Sequence, residues 1–450
     1  MLSTIFKAYD VRGIYNKGLT EEIAYKIGMA FVSFLKCKDV IVGYDMRLSS
    51  PSLSRAFMNG VADSGANAIN IGLVSTDALY FASGSLKKAG VMFTASHNPS
   101  DYNGIKFCKK EAVPINEDTG LKKIKNIIEK NKFVKKNKTI KKGKIIKKDI
   151  LDNYVRHIHS FIDIKALKKL KIAVDAGNGM AGKIVPMAYK SLPVRIIPLY
   201  FELNGSFPNH PADPSRPENM KDLQEKVVGE KADFGMGFDG DADRVFFVDE
   251  KGSIVNSSLI SSLIIKSILK KHPNKKIIYN LVCGKIVPDT IKKFNGKPIM
   301  ERVGHSFIKN TMRKTNAVFA CEHSAHYYFR DNFNADSGLI ASLIVAEIVS
   351  KENKPLSKLL NEFRKYSTLE ETNFKVEDKN KKLKEIEDYY KKKKPKKIIK
   401  IDGISIEFDD FWLNVRPSNT EPLLRVNMEA KSKEILEEKK GELIKLIETK

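Results

Sequence analysis

Residues 38–65 read KDVIVGYDMRLSSPSLSRAFMNGVADSG. KDVIVGYDMR (38–47) is an apolar strand running into a turn, and SPSLSRAFMNGVADSG (50–65) then reads as a helix. The pattern returns twice. KKLKIAVDAGNGMAG (168–182) repeats the strand-then-glycine opening, followed by IVPMAYKSL and the strand VRIIPLY. KKIIYNLVCGKIVPDTIKKFNGKPIMERVG (275–304) gives strand, turn, helix and a short second strand. Three such passes imply three α/β units, each with mostly parallel strands under helices. The tail after residue 367 differs: a short strand, a lysine-rich helix, strands at 398–408 and 411–416, and a final helix from residue 431. That composition predicts a small α+β domain.

At 450 residues the chain is too long for one core, and ~100–200 residues per domain predicts three or four domains. A hydrophobic share of 42% beside 30% charged residues fits a soluble globular protein. The start, MLSTIFKAYDVRG, has no apolar core of a secretory signal. The longest apolar run, GLIASLIVAEIV (338–349), is interrupted by Glu347 and too short to span a bilayer. Cys37, Cys108, Cys283 and Cys321 are scattered without a CxxC pair, which argues against a zinc site or disulfide framework and for reduced thiols in a cytoplasm. The net charge of +25 raises the question of nucleic acid. Its excess lies in lysine runs, KKNKTIKKGKIIKKD (135–149) and KKKKPKK (391–397), with no interleaved aromatics or zinc-finger frame. They read as a solvated surface rather than a nucleic-acid face.

Chemistry in α/β folds sits where loops leave the ends of parallel strands. Four loops carry unusual polar content. TASHNP (94–99) follows the apolar AGVMFT, so Ser96 is expected exposed on a loop; a plain strand-capping turn has the same composition. A serine beside a histidine is not expected to form a dyad, since neighbouring side chains on an extended backbone point apart. GFDGDADRVFFVD (237–249) alternates Asp239, Asp241 and Asp243. On an extended backbone their carboxylates share one side, which is costly without a divalent cation, and oxygen-only ligands suit Mg²⁺. An EF-hand requires glycine where Arg244 stands, and VFFV reads as a strand. A phosphatase with an Asp-x-Asp nucleophile also fits DADRV and would phosphorylate Asp241. In FACEHSAHYYF (319–329), Glu322, Ser324 and His326 alternate, which on a strand puts acceptors and donors for sugar hydroxyls on one face, with Cys321 and Ala325 directed away. NVRPSNTEP (414–422) offers Arg416, Ser418, Asn419 and Thr420 on a Pro-bounded turn, a set suited to a phosphate.

Together and in this order, TASHNP with NGIKF, DGDADR, GHSFIK, the Glu-x-Ser-x-His loop, RPSNTEP and AYDVRG (8–13) resemble the α-D-phosphohexomutase superfamily. EHSAHYYFRDN (322–332) followed by ADSG (335–338) resembles its phosphomannomutase/phosphoglucomutase branch. One departure is visible: Cys321 and Ala325 stand where the sugar loop usually has glycines.

The resemblance implies three similar mixed α/β domains plus a smaller α+β C-terminal domain around a central active-site cleft. The expected spans are 1–150 with the phosphoserine loop, 151–252 with the metal loop, 253–366 with the sugar loop and 367–450 with the phosphate loop. It implies interconversion of hexose 6-phosphate and hexose 1-phosphate, foremost of mannose and also of glucose, through phosphorylated Ser96 and a 1,6-bisphosphate that also serves as activator. Asp239, Asp241 and Asp243 would hold one Mg²⁺ beside Ser96. Arg12 and Lys106 would act at the reacting oxygen, Lys106 as a base only if Arg12 and Arg244 lower its pKa. His97 would support the loop or touch the phosphate. Arg244, Arg302, His305 and Lys309 would line the sugar and phosphate path. A hexose phosphate is the expected partner, with neither membrane nor nucleic acid, in a monomer or homodimer. A phosphoglucosamine mutase is the near alternative. The Asp241 phosphatase and a basic nucleic-acid-binding protein are alternatives from other classes.

Overall fold

A computed structural model describes residues 2–133, 141–417 and 423–448. The opening stretch folds as the strand Asp39–Tyr44, buried through its middle, and the helix Ser50–Asp63 with Pro51 in its first turn. The preceding helix Glu21–Leu35 starts at Thr20, whose side chain accepts from the Ile23 amide, with Glu21 and Glu22 complementing the helix dipole. The two helices cross in close contact. A Cβ on Gly28 would lie 2.3 Å from the Phe57 carbonyl oxygen, and one on Gly60 would lie 2.1 Å from that of Tyr25. Only glycine permits this backbone approach.

Three sheets share one plan. In the first, strands Asn67–Leu73, Asp39–Tyr44 and Ala89–Phe93 run parallel, and Tyr102–Lys109 and Val11–Ile14 continue the sheet antiparallel. In the second, Val194–Leu199, Leu170–Asp175 and Phe234–Phe238 are parallel, followed by antiparallel Val245–Asp249 and Ile254–Val255. In the third, Lys297–Glu301, Lys276–Asn280 and Phe319–Cys321 are parallel, followed by antiparallel Tyr327–Phe329 and Ala335–Asp336. The second sheet thus runs past residue 252, because Ile254 and Val255 pair back onto Val248 and Phe247.

The fourth sheet is wholly antiparallel, in the order Ser367–Lys375, Leu423–Ala430, Phe411–Pro417, Ile404–Glu407, Lys397–Ile399. Two features differ from the sequence reading. The expected strand 398–408 is a hairpin broken at Gly403, whose φ is +67°. Leu423–Ala430, a strand not expected from the sequence, is the second strand of this sheet.

One continuous apolar core runs through the first three sheets and includes the helix Gly338–Glu352, whose residues 338–350 are buried. That apolar run is core, and no helix among the described residues is long and apolar enough to cross a membrane. The fourth sheet and the helices Lys379–Lys392 and Lys433–Glu448 close around a separate core including Tyr390, Leu413, Val426 and Leu443.

Candidate active site

In each of the first three sheets, pairing changes from parallel to antiparallel across one hairpin. Those hairpins hold residues 94–101, 239–244 and 322–326. These loops leave the carboxyl ends of parallel strands, where α/β sheets open a binding crevice. The three loops touch. Arg244 and His326 form an isolated antiparallel backbone bridge, and a Cβ on Gly240 would lie 2.5 Å from the Ser96 carbonyl oxygen. Above them opens a cleft of about 1630 Å³, walled by Tyr9, Arg12, Ser96, His97, Lys106, Arg216, Arg244, Arg302, His305 and His326.

Ser96 has φ +51°, a left-handed conformation rare for a serine. Its amide donates to Thr94 Oγ1 at 2.9 Å and its hydroxyl to Asp239 Oδ2 at 2.6 Å. The turn also brings Ser96 Oγ to 3.1 Å from His97 Nδ1. The expectation that these two side chains diverge does not hold, because it assumed an extended backbone. The His97 imidazole is held well below its usual pKa, by Arg244 first and then by burial, and is neutral.

Asp239, Asp241 and Asp243 are buried, with one oxygen of each within 4.8 Å of the others. Thr76 Oγ1 donates to Asp241 Oδ2 at 2.5 Å, and Lys106 Nζ reaches Asp241 Oδ2 at 2.7 Å and Asp243 Oδ2 at 2.6 Å. Arg244 Nε donates to Asp239 Oδ2 at 2.9 Å. The opposite oxygens, Asp241 Oδ1 and Asp243 Oδ1, are buried without a hydrogen-bond partner among the described residues. Burial, and then the neighbouring Asp243 and Asp241, push Asp239 up to about 8. An oxygen-preferring divalent cation fits this set, since it would satisfy the orphaned oxygens and relieve the crowding of like charges. Asp243, His326 and Asp336 form a second, mixed group that shares Asp243.

Models of four domain families match the chain in order. These are the phosphoglucomutase/phosphomannomutase α/β/α domain I over residues 3–135, domain II over 152–252, domain III over 256–366 and the C-terminal domain over 371–446. The chain belongs to the phosphoglucomutase/phosphomannomutase family. It is 40% identical to a phosphomannomutase of Vibrio cholerae, over 99% of this chain and 98% of that protein. It is 37% identical to a phosphomannomutase of Escherichia coli K12, over 95% of each. A solved phosphoglucomutase/phosphomannomutase family protein from Burkholderia thailandensis superposes with a TM-score of 0.90 at 31% identity, covering 98% of this chain and 96% of that one. An N-acetylphosphoglucosamine mutase of Aspergillus fumigatus, solved with GlcNAc-6P and magnesium, shares the fold at a TM-score of 0.63 and 12% identity, covering 98% of this chain and 95% of that one. Membership makes the chain a phosphotransferring mutase and leaves no place for the Asp241 phosphatase or the nucleic-acid-binding protein.

Within this family site, several residues stand differently from the sequence reading. Lys106 does not meet the condition set for a base. Although burial works against its charge, Asp241 and Asp243 raise its pKa well above the ordinary value, and it is a cation. Lys309 does not line the cleft: it is fully buried beneath it, 2.7 Å from Asp336 Oδ1 and 3.7 Å from the Tyr80 ring centroid. Glu322, Ser324 and His326 lie on a tight hairpin turn rather than an extended strand, with Ala325 at φ +61°. Glu322 is already engaged, by Asn280 Nδ2 and the Gly304 amide, both at 3.1 Å, and by the Tyr328 hydroxyl. His326 faces the cleft, 2.9 Å from Ser324 Oγ, and burial drives its pKa down to about 3.

Arg12 lies on the wall, held by Asn98 Oδ1 and Asp10 Oδ2, both at 2.6 Å. Arg302 and His305 are on the wall too, Arg302 stacked 4.3 Å above the Phe307 ring. Arg416 ends the fourth sheet's central strand and pairs with Glu371 at 2.5 Å. Ser418, Asn419 and Thr420 lie outside the described residues. Thr76 and Glu371 escaped the sequence reading, since only long-range packing brings them to their partners.

Proposed function

We propose that this chain is a phosphohexomutase acting on mannose phosphates, and on glucose phosphates in the same pocket, with Ser96 as phosphoryl carrier. The observation that carries this reading is Ser96 Oγ, 2.6 Å from Asp239 at the floor of a cleft walled by arginines and histidines of three domains. The relatives named phosphomannomutase, at 37–40% identity over nearly their whole length, support mannose as the sugar.

Phosphorylated Ser96 donates its phosphoryl to the free oxygen of a hexose phosphate, giving a 1,6-bisphosphate. The intermediate turns round and returns its other phosphate to Ser96. Net, each transfer moves one phosphoryl and one proton in opposite directions between Ser96 Oγ and a sugar oxygen. Catalysis of this kind rests on positioning and charge stabilisation. Arg12, Arg244 and charged Lys106 surround the transferring group with positive charge, and neutral His97 holds the serine oxygen. Asp239, Asp241 and Asp243 would hold Mg²⁺, which when bound supplies Lewis-acid neutralisation of phosphoryl oxygens. Arg302, His305 and His326 line the path of the sugar and its phosphates, and Arg416 grips the phosphate that is not being transferred. Added hexose 1,6-bisphosphate activates by phosphorylating Ser96.

Intact-mass analysis of the purified protein tests the carrier. A phosphorylated fraction, abolished together with nearly all mutase activity in Ser96→Ala, is the expected result; phosphate retained in Ser96→Ala sinks the assignment. Conversion of mannose, glucose and glucosamine 1-phosphates, each with bisphosphate and Mg²⁺, decides the sugar.

A further inference from the structure

We propose that Arg47 is the positioning residue that shapes the Ser96 loop for phosphoryl transfer. Arg47 closes the YDMR turn and is fully buried. Its guanidinium binds four backbone carbonyls at once, three in the reactive loop and one on the first residue of the strand that follows it. Nη1 donates to Pro99 O at 2.7 Å and Tyr102 O at 3.0 Å, and Nη2 donates to Ser96 O at 2.8 Å and Asn98 O at 2.6 Å. Nε lies 3.5 Å from Asp45 Oδ2, which balances the buried charge. The Phe207 ring covers one face of the guanidinium, 5.1 Å from Cζ.

Four carbonyl dipoles converging on one point repel one another unless a cation stands among them. Without one, the loop relaxes by turning carbonyls toward water. Ser96 is the residue that such relaxation frees, since its left-handed φ of +51° is costly for a side chain with a Cβ. Its carbonyl is one of the four. Turning that carbonyl rotates Cα and swings Oγ away from Asp239. Lysine cannot substitute, because one ammonium directs three donors from a single atom, whereas the planar fork spreads its donors over two nitrogens. Arg47 touches no reacting atom in this geometry and acts through the loop.

This inference rests on Ser96 being the phosphoryl carrier, so its test has two readouts, one of them independent of that reading. The first is the single-turnover rate of phosphoryl transfer from hexose 1,6-bisphosphate to Ser96, followed by mass. In Arg47→Lys we expect it to fall roughly ten- to a hundredfold, the scale of a 1 Å misplacement, with KM for hexose phosphate within about threefold of wild type. The second is hydrogen exchange. The amides of Ser96, Asn98 and Tyr102 make the loop's internal bonds, and they should exchange faster in the variant while the strand Asp39–Tyr44 keeps its protection. A wild-type transfer rate or unchanged loop exchange in folded Arg47→Lys overturns the proposal. If wild-type protein takes no phosphate on Ser96, the carrier reading fails and loop exchange alone decides for or against Arg47. If Arg47→Lys does not fold, Phe207→Ala strips the ring from the guanidinium and keeps all of its hydrogen-bond donors. It should show the same changes at smaller amplitude, and unchanged exchange there overturns the proposal too.

Discussion

Lys106 and Thr76 both address the same oxygen of Asp241, while its other oxygen is buried without a hydrogen-bond partner among the described residues. One side of the carboxylate is thereby fixed and the other left for a cation, the usual way neighbouring groups orient a metal ligand. The same contacts explain why Lys106 is a cation: two buried carboxylates outweigh the desolvation that would neutralise it. Asp241→Asn keeps the acceptor for Thr76 but removes one of three anionic ligands. We expect Mg²⁺ affinity to fall at least about tenfold and phosphoryl transfer to slow with it. Titration calorimetry with Mg²⁺ reads the affinity. Wild-type Mg²⁺ affinity in Asp241→Asn, or full wild-type activity in excess chelator, removes the metal from these aspartates.

The three reactive hairpins are equivalent elements, each carrying a left-handed residue at its turn: Ser96, Ala242 and Ala325, with φ of +51°, +61° and +61°. The sequence made the hairpins legible as polar loops after apolar strands, and the three strand–turn–helix passes fixed the fold class. It did not show the turns, because period-two alternation assumes an extended chain and cannot register one left-handed residue. That is why the sequence reading points His97 away from Ser96, although its Nδ1 lies 3.1 Å from Ser96 Oγ. Lys309 was misplaced for another reason. Its partners Asp336 and Tyr80 lie on other elements, and sequence spacing carries no such contact.

The helix Leu151–His159 shows the same limit. Its His157 packs between Phe81 and Phe333, and its Nε2 lies 3.0 Å from Asn332 Oδ1. Burial lowers the pKa of His157, although Asn332 works the other way. The folded chain therefore refuses a proton that the unfolded imidazole accepts near pH 6.5. The unfolded state binds more protons in that window, so stability rises with pH. Its contribution is complete above the unfolded pKa and is lost as pH falls toward the folded value. Thermal melts from pH 5 to 8 should show the gap between wild type and His157→Gln moving in favour of wild type as pH rises. A gap independent of pH refutes the assignment.

At the scale of the molecule, the fourth domain has a core of its own, and Lys285 of the third domain makes polar contacts with it. Glu429 accepts from the Lys285 amide at 2.7 Å and Glu407 pairs with Lys285 Nζ at 2.8 Å. A domain with its own core is able to move as a unit, over bound substrate and away from product. Arg416 stands on it, opposite Arg425 on the adjacent strand, and Glu371 holds both guanidiniums, at 2.5 and 3.2 Å. If this fork grips the phosphate that is not being transferred, it would exchange its carboxylate for that phosphate. A bidentate arginine–phosphate contact has no equal replacement in water. Arg416→Ala should therefore raise KM for hexose phosphate and lower kcat/KM roughly ten- to a thousandfold, equivalent to about 1.4–4 kcal/mol. Phosphorylation of Ser96 and Mg²⁺ binding should persist, because both belong to other domains. Steady-state kinetics with intact-mass analysis measures both. Wild-type kcat/KM in this variant would strip Arg416 of the phosphate role and move the second phosphate to Arg302 and His305 on the cleft wall.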